Sequence, residues 1–458
     1  MLFRFLLPLT FVAAACAPVP NSGQGNGLAT RAAISDTTLP PVKRFATPRP
    51  TPPARSNRDI GRDFLDLSFA LESGRALPHL TRFEGPITVR VTGKAPANLT
   101  ADLQGLLSRL RNEAQINIRL TNSDTANITV AAVTRRDIRR TLPQAACFVV
   151  PNISSLSQYK SARRSGAANW LNLKEREKIA IFVPNDTTPQ ETRDCLHEEL
   201  AQALGPLNDL YRLPDSVFND DDVHAVLTGF DMTILRAYYD PLLQSGMTRD
   251  QVAARLPDIL TRINPRGDRL SPQYLSATPR SWIDAVQLAL GSGTTSAEGR
   301  RTAARQALKI AQQEGWSDHR LSFSHDALGR LLVSSDINAA HTQFIYADQV
   351  LARFPEYGPH RAFVSTRLAA HAIAAGRGQE AINLTAPYIA TAGRHENAAL
   401  LSRLMLLQAE ALELEGRLDE AGQLRLDSLG WARYGFGPDW AVRSKLREIS
   451  ALSPLKGS

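Results

Sequence analysis

No stretch of this sequence stays apolar long enough to form a transmembrane helix. No block of like charge is dense enough to mark a nucleic-acid footprint, because the formal net charge of +8 is carried mostly by arginine scattered over the whole chain. Its one local excess falls in a proline-rich N-terminal segment. A solvated mixed-charge surface accounts for such a balance, with weak attraction to anionic lipid as the alternative. Cysteine is scarce: the chain has three, so each can be considered by position. At 458 residues, 43% of them hydrophobic, the chain is too long for one ordinary core and rich enough for two domains plus tails.

Arg4 precedes a short apolar run, Phe5 to Val12, interrupted by Pro8 and followed by Ala13-Ala14-Ala15. That run is too short to span a bilayer and ends in the small residues a signal peptidase needs. Cys16 directly after them resembles a bacterial lipobox, which implies residues 1–15 as a lipoprotein signal peptide and a lipidated Cys16 as the membrane anchor. A plain secretory signal is the alternative. Both readings export the chain, and in an oxidising compartment Cys147 and Cys195 are predicted to pair. Two buried thiols are the alternative to that disulfide. Residues 16–57 are rich in Pro, Ser, Thr, Gly and Asn and are predicted to form a disordered tether.

From 58 onward elements alternate. A helix is predicted from Asp63 to Ser73, a strand over Ile87 to Val91, and a helix over Thr100 to Glu113. Strands follow over Ile116 to Leu120 and Ile128 to Val133, then a helical piece over Arg135 to Thr141. Two more strands, Cys147 to Val150 and Lys178 to Val183, flank a poorly periodic insertion, Ser154 to Glu177, expected to overhang a cleft. Pro189 then opens a helix. This order predicts an α+β domain over 58–265, with that helix packed under a mixed sheet. Helices are predicted from Asp231 to Leu243 and Arg249 to Ile263, then a helical linker over 266–295.

Over 296–450 the chain repeats weakly. Gly376-Arg377-Gly378-Gln379-Glu380-Ala381 is echoed forty residues later by Gly416-Arg417-Leu418-Asp419-Glu420-Ala421, with Asp336 to Ala340 one repeat upstream. Small residues precede the turns (Ala369, Ala409), and an alanine recurs in each second helix (Ala340, Ala381, Ala421). This resembles tetratricopeptide repeats and implies an all-α solenoid; a plain helical bundle is the alternative.

The Pro189 helix carries the stretch on which a functional reading turns. Zinc peptidases of the metzincin kind use His-Glu-x-x-His-x-x-Gly-x-x-His, because residues four apart share a helix face and two imidazoles then converge on one ion. Aligned on Gly205, this chain has Glu198, Gln202 and Asn208 at the three ligand positions, while Glu199 stands at the general-base position and Gly205 at the turn. His197 has no helical partner, since Ala201 falls four residues on. Ser216 to Asp220 is similar to the turn beneath the metal in those enzymes, with Phe218 where methionine is usual. Leu227 to Pro241 is similar to their closing helix. Together these stretches resemble a degenerate metzincin-like (zincin-fold) domain, and the whole arrangement is similar to an uncharacterised family of alphaproteobacterial lipoproteins.

The resemblance implies no zinc, since one carboxylate and two amide oxygens make a weak zinc set. A hard divalent cation such as calcium would tolerate oxygens, with Asp209, Asp220, Asp221, Asp222 and His224 as further donors. A hydrogen-bonded network of Glu198, Gln202 and Asn208 is the bland alternative. The expected protein is an envelope lipoprotein on the periplasmic face of the outer membrane. Its pseudo-peptidase domain would bind an envelope protein or peptide through the cleft or the repeats, with no nucleic acid and no required cofactor. The rival is a metal-dependent hydrolase using Glu199 as general base.

Overall fold

The computed structural model describes residues 39–46, 51–291 and 295–456. The signal segment and Cys16 lie outside them. The first domain runs α1 (Asn57–Ser68), β1 (Ile87–Gly93), α2 (Leu99–Glu113), β2 (Ile118–Leu120), β3 (Ile128–Val133), α3 (Arg135–Thr141), β4 (Phe148–Pro151), α4 (Leu156–Ala162), β5 (Ile179–Pro184), α5 (Pro189–Leu204), α6 (Gly229–Tyr238), α7 (Arg249–Ala253) and α8 (Leu256–Ile263). Its five strands lie in the order β2-β1-β3-β5-β4. All neighbours are parallel except β4, which runs antiparallel to β5 along the edge.

The central strands β3 and β5 are buried on both faces, as mixed sheets covered on two sides require. Ile128, Val130, Ile179, Ile181 and Val183 face the layer of α2, α5 and α6 through Leu103, Leu107, Leu196, Leu200 and Ile234. On the opposite face Ala131, Ala180, Phe182 and Phe148 meet Ile138 of α3 and Tyr159 of α4. The insertion from Ser154 therefore covers the outer face of the sheet instead of overhanging a cleft. Its apolar residues Leu156, Tyr159 and Ala162 supply that cover.

Several predicted boundaries move, each for a local reason. The first helix begins at Asn57, six residues early, because Ser56 caps it by accepting from the Asp59 amide at 3.1 Å. The helix predicted over Arg249 to Ile263 is two helices. Pro257 sits in the first turn of α8, where its missing N–H costs nothing, and it could not continue α7. The proline-rich segment is also packed where it is described. Phe45 stacks on Trp431 with centroids 4.5 Å apart, Lys43 donates its amide to Gly430, and Arg55 is ion-paired with Asp63 and Asp215. One aromatic and two cations give this stretch the anchors that its composition conceals.

The second region is all-helical, with nine α-helices among the described residues: α9 (Arg280–Leu290), α10 (Ala297–Gln313), α11 (His319–Leu332), α12 (Ile337–Leu351), α13 (Gly358–Ala374), α14 (Gly378–Arg394), α15 (Ala398–Leu414), α16 (Leu418–Phe436) and α17 (Asp439–Ser450). The span predicted as a linker contains α9, whose Trp282 is fully buried against Tyr211 and Trp316 and donates to Ser324 Oγ at 3.0 Å. It is the first packed helix of the array.

The echo in the sequence is an echo in geometry. Gly376 and Gly416 both end a helix in the left-handed region (φ 72° and 73°), and the next residue in each case reaches back to the carbonyl five positions earlier. Ala340, Ala369, Ala381, Ala409 and Ala421 are all fully buried where the helices cross.

The array returns to the first domain. Gln190, in the opening turn of α5, donates to Asn397 Oδ1 at 3.0 Å and accepts from the Ala399 amide at 2.9 Å. Arg193 is ion-paired with Glu396, and Tyr434 donates to Asp102 Oδ2.

Candidate functional site

The helix α5 is fixed at three points before its chemistry begins. Thr188 caps it by accepting from the Glu191 amide, and Pro189 occupies the first helical position. The predicted disulfide is present: Cys195 is bonded to Cys147, which immediately precedes β4, with Cα atoms 5.9 Å apart. At the far end Arg176, itself buried, donates to the carbonyls of Gln202 and Gly205 and so satisfies two acceptors that a helix end leaves open.

Gly205 is needed for closeness. A Cβ there would stand 2.9 Å from the ring of Tyr238, so α6 can lie against the end of α5 only over a glycine. Phe218 is fully buried in the main core. The turn that carries it is organised by Asp231, which accepts from Ser216 Oγ at 2.5 Å, the Val217 amide at 3.2 Å and the Thr228 amide at 2.8 Å. Burial pushes Asp231 up to about 6 against those three donors. The spacing Thr228-x-x-Asp231 is a capping-box signal, and it was the available sequence clue to this residue.

The three motif positions diverge. Asn208 donates to the Asp66 carbonyl at 2.9 Å, and Gln202 reaches Glu72 Oε1 at 3.4 Å. Glu198 instead faces Glu199, Asp220 and Glu72, and burial with those charges raises its pKa well above the ordinary carboxyl range. His197 is buried, and its Nδ1 accepts from the Leu227 amide at 3.0 Å. Burial, with Arg193 and Arg109 behind it, holds that imidazole neutral. Zinc does not fit this donor set, which offers oxygens only, and the one imidazole on the helix is committed to backbone.

What these residues build is a carboxyl constellation. Glu199, 5% exposed, is raised well above its usual value by burial and then by Glu72 and Asp209. Its Oε2 has no hydrogen-bond partner. Asp209 is raised by burial, Glu72, Glu198 and Asp220, and its Oδ1 is also without a donor. Burial and the neighbouring carboxyls favour the protonated form of Asp209. Asp220 accepts from Tyr211 Oη at 2.7 Å and is pushed up to about 6, by its protein surroundings first and by Asp222 and Glu72, with the tyrosine opposing. Glu72 lies on an irregular turn after α1, because the helix predicted through Ser73 ends at Ser68.

Beside the constellation lies a cavity of about 950 Å³. One wall is Tyr211 and Asp220 to Val223 of the first domain. The other is built from α9, α11, α13 and α15, including Leu288, Ser322, Phe363 and Arg403. At their junction His360 Nε2 and Asp221 Oδ2 are 2.9 Å apart, and His319 Nε2 is 2.6 Å from the Tyr211 carbonyl. Burial brings His319 and His395 down to about 3, with neighbouring histidines adding to it.

Residues 57–258 match the family model described as a protein of unknown function, DUF2927. This stretch is a DUF2927 domain. It contains α5, Glu72 and every carboxyl of the constellation, while the helices that complete the cavity lie beyond the match. No curated protein and no solved structure matches the chain.

Proposed function

We propose that this protein is an envelope lipoprotein in which a metzincin-like DUF2927 domain, without a zinc set, and a tetratricopeptide-like array together bind a peptide or protein segment. The anchor is Cys16, and the location is the periplasmic face of the outer membrane. The observation that carries this reading is the cavity shared between the acidic Asp220 to Val223 loop and the inner helices of the array. A site of that size takes a ligand of several residues, and walls drawn from two regions mean that an occupant touches both. The mixed sheet with one antiparallel edge strand, β4, tied by the disulfide to the motif helix supports the metzincin-like part.

Site-specific photocrosslinking tests it. A crosslinker replacing Leu288, half-exposed at the cavity, is expected to give a discrete adduct in intact cells, and one replacing the distant exposed Leu426 is not. Adducts at Leu426 with none at Leu288 would overturn the reading.

One observation favours a second reading, an acid–base hydrolase. Glu199 is a buried carboxyl with a raised pKa and an unpartnered oxygen beside other carboxyls, an arrangement suited to proton transfer. A hard cation such as calcium belongs to this reading as a ligand of the carboxylates. Peptide hydrolysis by the purified protein, abolished by Glu199→Gln and dependent on added calcium or manganese, would establish it over binding alone.

A further inference from the structure

Three arginines from three different helices converge on the array side of the cavity: Arg330 of α11, Arg367 of α13 and Arg403 of α15. Neither Arg330 nor Arg403 donates a hydrogen bond or makes an ion pair with any described residue. Arg367 comes no nearer to a carboxylate than 3.9 Å, at Asp326, and its Nε is a buried donor without an acceptor. Asp326 Oδ1 is likewise unpartnered, so the two do not satisfy each other. The other acids near them are engaged elsewhere. On the cavity wall Asp220 accepts from Tyr211, Asp221 faces His360 and Asp284 pairs with Arg280. Glu448, which acts on Arg403, is held by Lys445, and Asp222, which feels Arg330, is raised by burial and by Asp221. Arg403 is brought down to about 10, by burial first and then by repulsion from Arg367 and Arg330.

Guanidinium groups normally find carboxylates or phosphates, and these three share one long ion pair, Arg367 to Asp326 at 3.9 Å, which leaves their mutual repulsion largely uncompensated in the empty protein. From this convergence we infer that Arg330, Arg367 and Arg403 form an oxyanion site, which holds a ligand group carrying at least two negative charges in carboxylate or phosphate form. Forked N–H donors on three sides suit an anion with several oxygens, and the apolar lining at Leu288, Phe323 and Val364 accommodates the rest of the ligand. The inference rests on the cavity being a binding site, as proposed above, and adds the chemistry of what it selects.

Isothermal titration calorimetry on the full mature chain tests it, with pyrophosphate and tricarballylate as probes. Saturable binding of one probe is expected, weakened about tenfold or more in Arg330→Gln and in Arg403→Met and weakened by salt. Preference for pyrophosphate assigns a phosphate-bearing ligand, and preference for tricarballylate a carboxylate-bearing one. Arg403→Met carries a second readout that a structural arginine would not give: the melting temperature of the unliganded protein rises, because a repelled cation has been removed. Arg330 is exposed, so its variant keeps the test available if the other does not fold. Binding of neither probe, or equal binding by the wild type and both variants, overturns the oxyanion site. A Leu288 adduct in that case would leave the shared cavity standing.

Discussion

His360 Nε2 and Asp221 Oδ2 lie 2.9 Å apart, both side chains almost fully buried, although 139 residues separate them in the chain. The pair joins the array to the acidic loop, and its energetics are set by the carboxylate. Burial pushes Asp221 up, but His360, with His224 and His319 behind it, outweighs that and holds it below the ordinary aspartate value. A depressed carboxyl contributes stability that is present above its unfolded pKa and is lost as pH falls through the folded one. His360→Ala strands the carboxylate in the interior. We expect a loss of about 3 kcal/mol at neutral pH, the scale of a buried charge stripped of its partner. Urea denaturation at pH 7 and at progressively lower pH checks it: the gap between wild type and variant should narrow as pH falls through the folded pKa of Asp221.

The disulfide supports the same framework from the sheet side. Cys147 and Cys195 are 48 residues apart, and bridging them restricts the unfolded chain while pinning β4 to α5. Reduction, or the double change Cys147→Ser with Cys195→Ser, should cost about 2–4 kcal/mol. A thermal melt with and without reductant measures it, and the double variant should show no further response to reductant.

Gly205→Ala tests the packing of the motif helix against α6. The added methyl would stand 2.9 Å from the Tyr238 ring, which is fully buried and cannot retreat. Overpacking of this kind should destabilise by about 1–3 kcal/mol. Tyr238→Leu in the same chain should recover part of that loss, a coupling that a double-mutant cycle reads directly.

These tests divide along the line between what was legible in the sequence and what was not. The α5 helix announced itself by Pro189, the disulfide by two cysteines in an exported chain, and the hairpin echo by Gly376 and Gly416. All of these are local signals with one physical reading each. Glu72 was misplaced because the helix predicted through Ser73 ends at Ser68, which leaves this residue on an irregular turn. Arg330, Arg367 and Arg403 belong to three separate helices, and no spacing within one helix brings them together. The return of α15 onto Gln190 was equally invisible, since a repeat predicts its neighbours and says nothing about where the array meets another domain. Gly205 was singled out for the turn it permits, and the structure shows the Tyr238 ring packed against it.

Glu199 carries the test that separates a structural carboxyl from a working one. Its folded pKa is raised, by burial and then by Glu72 and Asp209, so the folded state holds a proton that the unfolded chain releases. A raised carboxyl contributes fully below its unfolded pKa, and that contribution is lost as pH rises toward the folded pKa, so stability falls with increasing pH across that window. Glu199→Gln keeps the shape and removes the proton. The variant should therefore be more stable than the wild type at pH 8, with the advantage shrinking as pH falls toward 4. Melting temperatures taken every half unit would trace the curve. If Glu199 served only as an ordinary ionised surface carboxylate, the two curves would run parallel. If it works in proton transfer, the stabilised variant should be inactive at every pH, the trade of function against stability expected of a buried acid–base group.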